Sequence, residues 1–220
     1  LELTVHGDGP ISDALEAVAA ATLAEHGWGP SRERHSGWTG VQVDAARLVL
    51  SDGRPAHELA AAMGVEDLAV FDLPLVTPLG QGAALAYAVH ALASDAWAAQ
   101  APAWLQALGF TPNRLQDTPG LVVARTIAML VNEAADAVQQ GVCTAEGADA
   151  AMKLGVNYPA GPFEWLTRLG AGATVEILDA LDAAYRGERY RVSPWLRRRV
   201  RQAAGGPVDG RADPIVGQAD

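Results

Sequence analysis

Few side chains in this sequence have the residue types and the spacing of a catalytic or metal-binding site. The five histidines include no pair one helical turn apart with an acidic residue between them, which is the spacing of a metal-binding helix. His57 and His90 lie in stretches with a helical pattern. A histidine in such a stretch is more often a core or surface residue than a catalytic one. Cys143 precedes a helix start but has no adjacent histidine to activate it. The pattern predicts neither a metal site nor a cysteine nucleophile.

A second set of polar residues follows helical spacing in the middle of the chain. Asn132, Glu133 and Asp136 occupy the polar side of the clearest helix, and Lys153 follows in the next one. Two interpretations are open: a polar network between helices, which is the more frequent use of such residues, or contact with a substrate. Asn132, Glu133 and Lys153 are the candidates for facing a substrate.

A glycine-containing turn follows the first predicted strand. Gly7 and Gly9, with Ser12 at the third glycine position, partly match the fingerprint that lets a backbone approach the pyrophosphate of a dinucleotide. Asp8 and Pro10 oppose that use, because a carboxylate repels pyrophosphate and a proline has no N–H to donate. The favoured alternative is a tight strand-to-helix turn, with Gly7, Gly9 and Ser12 as the only cofactor-binding candidates.

The composition excludes several classes of function. Sixteen basic and 26 acidic residues among 220 give a formal net charge of -10, which repels nucleic acids and anionic membrane surfaces. The sequence has no run of 18 apolar residues, and its first residues lack the basic segment of a signal peptide. A single cysteine is typical of a reducing compartment. We expect a soluble, cytoplasmic protein without nucleic-acid, membrane or metal partners.

The N-terminal half alternates predicted strands and helices. This order favours an abbreviated, Rossmann-like parallel sheet over residues 1–116, because a complete dinucleotide-binding domain needs roughly a hundred residues or more. Residues 28–40, rich in Gly, Pro, Ser and charge, are predicted to form a loop. Strands are predicted at 1–6, 46–50, 68–73 and 110–115, and helices at 11–26, 55–63, 82–93 and 95–108, the last one capped by Ser94.

The second half, residues 117–204, is predicted to be an all-α domain. Its clearest helix spans 121–140, with Gly141 at its end and apolar residues at 123, 127, 130, 131, 134 and 138 on one face. Thr144 caps a helix that ends at Gly155, and further helices are predicted at 163–169, 174–186 and 194–203. Residues 205–220, dense in Gly, Asp and Pro, are expected to be disordered.

Residues 117–168 combine motifs that together indicate a family. Asp117-Thr118-Pro119-Gly120 precedes the long helix, and Pro159-Ala160-Gly161-Pro162 fixes the direction in which a later helix begins. The stretch closely resembles the helical C-terminal domain of 3-hydroxyacyl-CoA dehydrogenases, and most of all those of phenylacetate catabolism. The resemblance implies NAD-dependent oxidation of a (3S)-hydroxyacyl-CoA and dimerisation through the helical domain. Its large apolar residues are the expected interface: Trp165, Trp195, Leu166, Leu169, Leu178 and Leu181.

The same resemblance locates the family's catalytic positions. The family carries a histidine inside a His-Phe-Phe-Asn-Pro pattern at a strand end, and matching Phe71-Asp72 to its Phe-Asn puts Ala69 at the histidine position. The glutamate that orients this histidine falls near Gln81, and the asparagine of the long helix corresponds to Ala124. We therefore expect this chain alone to have no catalytic residue for hydride transfer and to bind no NAD.

Two interpretations of the whole chain remain open. In the first, it is the second half of a longer dehydrogenase whose earlier half holds the intact nucleotide site, while this half completes the fold or the dimer. In the second, it is a free-standing, non-catalytic homologue that acts as a binding or assembly module. The first residue is Leu1 rather than methionine, which fits the first interpretation.

Overall fold

The computed structural model describes residues 2–24, 27, 29–75 and 82–205. The chain divides into two compact units, Leu1–Ala124 and Arg125–Asp220. Gln81, which the family resemblance places at the glutamate position, lies outside the described residues. So do the last residues of the predicted helix 11–26 and nearly all of the tail predicted to be disordered.

The first unit is built on a seven-stranded sheet of order β2-β1-β3-β4-β5-β6-β7. Three neighbouring pairs are parallel (β1–β2, β4–β5 and β6–β7), and three are antiparallel (β1–β3, β3–β4 and β5–β6). The predicted Rossmann-like α/β class is confirmed, but the sheet is mixed rather than parallel. The strands are β1 Leu3–His6, β2 Ser31–Glu33, β3 Gly40–Val43, β4 Ala46–Leu50, β5 Leu68–Phe71, β6 Ala84–Val89 and β7 Thr111–Arg114.

The antiparallel pairs come from stretches for which the sequence predicted other structure. The predicted helix over 82–93 is wrong, because Ala84–Val89 forms β6 between β5 and β7. Its alanines favour a helix, yet Leu85, Tyr87 and Val89 alternate into the core, and pairing on both sides overrides the local preference. The predicted loop over 28–40 contains β2 and the first residue of β3. Asp44, in the left-handed region at φ 51, turns the chain from β3 into β4.

The two faces of the sheet are covered by different helices. Helices α1 (Pro10–Ala24) and α3 (Asp95–Ala107) pack on the face that carries Val5, Leu48 and Phe71. Helix α2 (Ala56–Met63) packs on the opposite face, against Val49 and Val70. This division follows from the two-residue alternation of side chains along each strand. Ser94 caps α3 as predicted, by accepting the N–H of Trp97.

The edge strand β7 contains a proline. In β7 the N–H groups of Thr111 and of the following Leu115 donate to Ala83 and Tyr87, so alternate residues of the strand face β6. Pro112 lies between these positions and its nitrogen faces away from β6, where it has no hydrogen to donate. A further strand therefore finds one fewer donor along this edge.

Two buried or half-buried carboxylates cap helices that are distant in sequence. Asp72, fully buried just after β5, accepts the N–H groups of Val122 at 2.9 Å, Val123 at 2.7 Å and Ala124 at 2.8 Å. These groups begin the long helix α4 (Val123–Gln139). A carboxylate at a helix N-terminus satisfies donors that have no partner inside the helix and stabilises the positive end of the dipole.

Asp117 makes the second long-range cap. Its carboxylate accepts the N–H of Ala56 at 2.6 Å and of His57 at 3.0 Å, at the start of α2, and lies 2.8 Å from His57 Nδ1. Pro55, at the N-cap position of α2, has no side-chain group with which to make this bond. The carboxylate of Asp72 thus joins the end of β5 to the start of α4, and that of Asp117 joins the residues before α4 to the start of α2.

The second unit is helical, as predicted. It contains most of α4, then α5 (Ala145–Val156), α6 (Pro162–Leu169), α7 (Ala171–Tyr185) and α8 (Pro194–Ala203), with a 3-10 turn at Glu188–Tyr190 before α8. Thr144 caps α5 as predicted, by accepting the N–H of Gly147 at 3.1 Å. The predicted end at Gly155 is wrong: α5 continues to Val156, and Asn157 ends it in the left-handed conformation at φ 58.

The buried side of α4 is richer in alanine than the predicted apolar face. The predicted positions Val123, Leu130 and Ala134 are only half-buried, whereas Ala124, Ala128 and Ala135 are completely buried. The buried residues of α4 are Ala124, Ile127, Ala128, Val131, Asn132, Ala135 and Val138.

The apolar residues expected to form an interface mostly lie inside the unit instead. Trp165 and Trp195 are about 96–97% buried, and Leu178 and Leu181 are completely buried. The ring of Phe163 packs edge-on against Trp195, with centroids 5.6 Å apart. These four residues therefore belong to the core of the helical unit, whereas Leu166 and Leu169 are half-buried, and an interface in this unit stays a prediction.

We predict that the Asp72→Asn substitution lowers the free energy of unfolding by about 2–3 kcal/mol. The amide replaces one acceptor oxygen by a donor, which would face backbone N–H groups that are themselves donors. Urea unfolding followed by circular dichroism measures the change. The matched control is Asp44→Asn, at an exposed position where asparagine adopts the same left-handed backbone; an equal loss there would contradict the role of Asp72.

Candidate functional site

The family resemblance places the catalytic histidine at Ala69, the second residue of β5. Ala69 is completely buried there, and its side chain belongs to the core on the α1–α3 face of the sheet. It pairs with Leu48 on one side and Val89 on the other. A methyl group enclosed in apolar residues can neither accept nor donate a proton.

The start of α4 lies beside Asp72, which directly follows the end of β5. Ala124, at the family's asparagine position, is completely buried, and its N–H is the one bound by Asp72 at 2.8 Å. The structure therefore brings together Asp72 and Ala124, whereas the side chain of Ala69 lies in the core on the α1–α3 face of the sheet. Their chemistry is structural, however, because the carboxylate of Asp72 already accepts four N–H groups, including that of Leu73.

The glycines of the first turn are required for backbone conformation and packing. Gly7 and Gly9 have φ of 94° and 100°, in the region that favours glycine. A Cβ on Gly7 would lie 2.6 Å from Thr39 Oγ1 and 2.9 Å from Ser12 Oγ, whereas a Cβ on Gly9 would meet no atom within 4 Å. Ser12 is fully buried and donates through Oγ to the carbonyl of His6 at 3.1 Å.

The polar groups of this turn are bound to the protein itself. The carboxylate of Asp8 accepts the N–H of Gly9 at 3.0 Å and a guanidinium N–H of Arg34 at 3.0 Å. Those two bonds, in that order of strength, lower the pKa of Asp8 below its ordinary value. The N–H of Gly7 donates to the carbonyl of Glu33 at 2.9 Å. A carboxylate thus holds the N–H that a pyrophosphate would need, and the turn does not fit a dinucleotide phosphate.

Arg32 fixes the same turn to helix α1. Its side chain is about nine-tenths buried, and it donates to the carbonyl of Gly7 at 3.0 Å, to Glu16 at 2.6 Å and to Asp13 at 3.1 Å. Arg32 was not among the candidates predicted from the sequence. The signal that could have identified it is a basic residue on the strand that follows a helix with acidic residues.

The substrate-facing candidate Asn132 lies in a network between helices. It is 98% buried; its amide donates to the carbonyl of Arg191 at 2.9 Å and accepts the N–H of Ser193 at 2.8 Å. One turn further along α4, Asp136 bonds the guanidinium of Arg191 at 2.9 Å. Glu133 is exposed on another side of the helix. The geometry supports the interhelical interpretation for Asn132 and Asp136.

Lys153, the other candidate, supports the Pro-Ala-Gly-Pro turn. It forms an ion pair with Glu164, whose second oxygen accepts the N–H of Gly161 at 3.0 Å. The pKa of Glu164 is lowered, first by Lys153 and then by this N–H. Asp149 accepts the N–H of Phe163 at 2.8 Å from the opposite side. Side chains of α5 therefore cap the start of α6.

Two kinds of site are not found among the residues that the structure describes. Their His, Cys, Asp and Glu residues nowhere gather in a group of three that could hold a metal ion. Their helices include none with both the length and the apolar character required to cross a bilayer.

Comparison with known proteins identifies both units. Residues 120–211 match the model of the 3-hydroxyacyl-CoA dehydrogenase C-terminal domain, and residues 48–119 match the 3-hydroxybutyryl-CoA dehydrogenase reduced Rossmann-fold domain. Fold and sequence together define a reduced Rossmann-fold domain joined to the helical domain of these dehydrogenases. The chain belongs to the 3-hydroxyacyl-CoA dehydrogenase family.

Individual relatives agree with this assignment. The chain is 32% identical over 185 residues to 3-hydroxyadipyl-CoA dehydrogenase of Escherichia coli K12, a match that covers 84% of this chain and 38% of that protein. It superposes on the crystal structure of 3-hydroxybutyryl-CoA dehydrogenase from the same species with a TM-score of 0.71 and 34% identity, covering 79% of this chain and 35% of that one. The (S)-3-hydroxybutyryl-CoA dehydrogenase of Ralstonia eutropha, at 24% identity and TM-score 0.59, shares the fold over 78% of this chain and 60% of its own.

The chain is much shorter than the curated relatives it matches. The first three of them are covered over 38%, 37% and 41% of their length. Most of each relative therefore has no counterpart in this match, and the activity of the whole enzyme does not transfer directly to these 220 residues.

We predict that Gly161→Ala destabilises the helical unit by about 2–3 kcal/mol. The new methyl group would overlap both Cβ and Cγ of Asp149, and so displace the carboxylate that caps α6. Gly155→Ala, in α5, is the control, because a Cβ there meets no atom within 4 Å. It should raise stability by about 0.5–1 kcal/mol through the helix preference of alanine. Opposite signs in urea unfolding are expected, and equal effects would contradict the contact.

We predict that Asn132→Ala lowers the free energy of unfolding by about 1–3 kcal/mol, since it leaves the carbonyl of Arg191 and the N–H of Ser193 without their partner. Glu133→Ala, one residue along the same helix but exposed, should change it by less than about 0.5 kcal/mol. Thermal unfolding of both variants measures the difference. A neutral Asn132→Ala would remove the structural role and favour the substrate interpretation.

Proposed function

We propose that this chain is a part of an NAD-dependent (3S)-hydroxyacyl-CoA dehydrogenase that completes the fold and the dimer, and that hydride transfer takes place in another part of the protein. The proposal depends on one observation above all. Ala69, where the family has its catalytic base, is completely buried among apolar residues of the sheet.

The neighbouring groups support the same conclusion. A general base must hold an acceptor within reach of the substrate hydroxyl. Asp72 is the acid next to the strand end, and its oxygens are occupied by backbone N–H groups in a fully buried position. Ala124 offers a methyl group where the family's asparagine would bind. The proton acceptor and its orienting groups are accordingly assigned to another part of the enzyme.

NAD is assigned to that other part for a related reason. The first turn presents the negatively charged Asp8 at the start of α1, with its pKa lowered by Gly9 and Arg34 so that it stays ionised. The phosphates of a dinucleotide would meet this charge at close range. The acyl-CoA substrate is likewise assigned to the complete enzyme, to which this chain contributes part of the fold.

The dimer surface is assigned to the exposed apolar residues of the helical unit. Leu154 is 87% exposed, Val142 73% and Val156 54%, on or beside α5. These side chains gain free energy by leaving water, at roughly 25 cal/mol for each Å² of apolar surface buried. A C2 dimer would bury the same surface on both subunits. We place the protein in the cytoplasm, with phenylacetate catabolism as the pathway that its sequence resemblance favours.

The test uses the chain by itself. We predict no NADH formation above background, followed by absorbance at 340 nm, when the purified chain is mixed with NAD and a (3S)-3-hydroxyacyl-CoA. Multi-angle light scattering should show a dimer, and Leu154→Lys should convert it to a monomer, because a buried charge opposes association. Gln140→Lys, also exposed, is the control and should stay dimeric.

Two outcomes would contradict the proposal in different ways. Turnover comparable to that of a complete dehydrogenase would place the active site within this chain. A monomer in which Leu154→Lys has no effect would remove the dimerisation role, and would favour the alternative of a free-standing, non-catalytic binding or assembly module.

A further inference from the structure

Three side chains form a stack at the end of β1, on the face of the sheet opposite α1 and α3. The rings of His6 and Trp38 lie nearly parallel, with centroids 4.1 Å apart and an angle of 19° between their planes. The guanidinium carbon of Arg47, on β4, lies 5.6 Å from the centre of the same indole ring. Trp38 is therefore contacted by one imidazole and one cation.

The nitrogens of this stack are buried without hydrogen bonds. Among the described residues, neither ring nitrogen of His6 nor Nε of Arg47 has a hydrogen-bond partner of normal geometry, and all three atoms are shielded from solvent. A protonated imidazole carries two N–H donors, whereas a neutral one carries a single donor and an acceptor. Protonation of His6 would thus add a second buried N–H donor, for which Gln42 is the neighbouring acceptor, and a positive charge beside Arg47.

The charged and polar groups around His6 come from each neighbouring strand. Arg47 on β4 opposes protonation, while Glu33 on β2 and Gln42 on β3 favour it. Burial and Arg47 prevail in that order, and they lower the pKa of His6 below its ordinary value of 6.5. The amide nitrogen of Gln42 donates to the carbonyl of Asp44 at 2.9 Å, which fixes the direction of that side chain.

The stack also holds the backbone around it. Trp38 and Thr39 lie against the Gly7 turn: a Cβ at Gly7 would be 2.9 Å from the Trp38 carbonyl and 2.6 Å from Thr39 Oγ1. The carbonyl of His6 accepts the hydroxyl of Ser12 in α1. The segment 34–39, which connects β2 to β3, contacts the end of β1 through the His6–Trp38 stack and the following turn through the Arg34–Asp8 ion pair.

We propose that His6 is an acid-sensitive latch of the α/β unit, whose protonation breaks the stack with Trp38 and releases the segment 34–39 from the end of β1. Because the neutral form is favoured in the folded state, the full stability of the latch is present above pH 6.5. It is lost as the pH falls through 6.5 towards the lower pKa of the folded protein. Burial of the ring, and after it Arg47, determine how far below 6.5 the transition lies.

The experiment follows the full chain from pH 8 to pH 5. The tryptophan emission that Trp38→Phe removes should shift to longer wavelength on acidification, and the NMR signals of the His6 ring should titrate with a midpoint below 6.5. His6→Phe keeps an aromatic ring in the stack but cannot be protonated, so the emission shift should disappear. Arg47→Met should move the transition to higher pH, because it removes the opposing cation.

Matched controls separate the latch from general acid effects. His35→Phe changes an exposed histidine of the same segment and should leave the transition unchanged. An unchanged transition in His6→Phe, or a His6 midpoint at or above 6.5, would overturn the proposal. The NMR titration of the unmodified chain decides the matter even where His6→Phe does not fold.

Discussion

The bond between Asp72 and the first N–H groups of α4 is the interaction on which the α/β unit depends. A fully buried carboxylate is stable only when hydrogen bonds replace its lost hydration, and here four backbone donors supply them. In return, the helix receives a negative charge at its positive end. Because Asp72 directly follows β5, its carboxylate joins the first residues of α4 to the end of that strand. Asp117 repeats the arrangement for α2, so the strand end and both helix starts hold one another in place.

The residues at the positions that the family resemblance marks for chemistry are packed or bonded within the protein. Ala69 and Ala124 are completely buried, and Asp72, just after β5, caps the start of α4. At the first turn, Asp8 likewise accepts the N–H of Gly9 and a guanidinium N–H of Arg34.

Local patterns predicted the helical unit well and the sheet less well, for physical reasons. Capping by Ser94 and Thr144 depends on residues three positions away, so the sequence reveals it directly. Strand β6 consists largely of residues that favour helix, and only its neighbours on both sides make it a strand. The caps made by Asp72 and Asp117 join residues about 50 and 60 positions apart, a distance at which no spacing rule applies. The sequence did not decide between the two roles of Asn132 and Lys153 for the same reason, because the position of a polar residue on a helix face does not identify its hydrogen-bond partner.

The proline in β7 affects how readily the edge of this sheet can pair with a strand of another sheet. Sheets of related sequence that share one chain meet at high effective concentration, and exposed edges are where they exchange strands or join wrongly. Pro112 denies an incoming strand one of its bonds at that edge. The short strand is thereby a poorer template for a strand of another sheet, and mispairing at this edge is disfavoured.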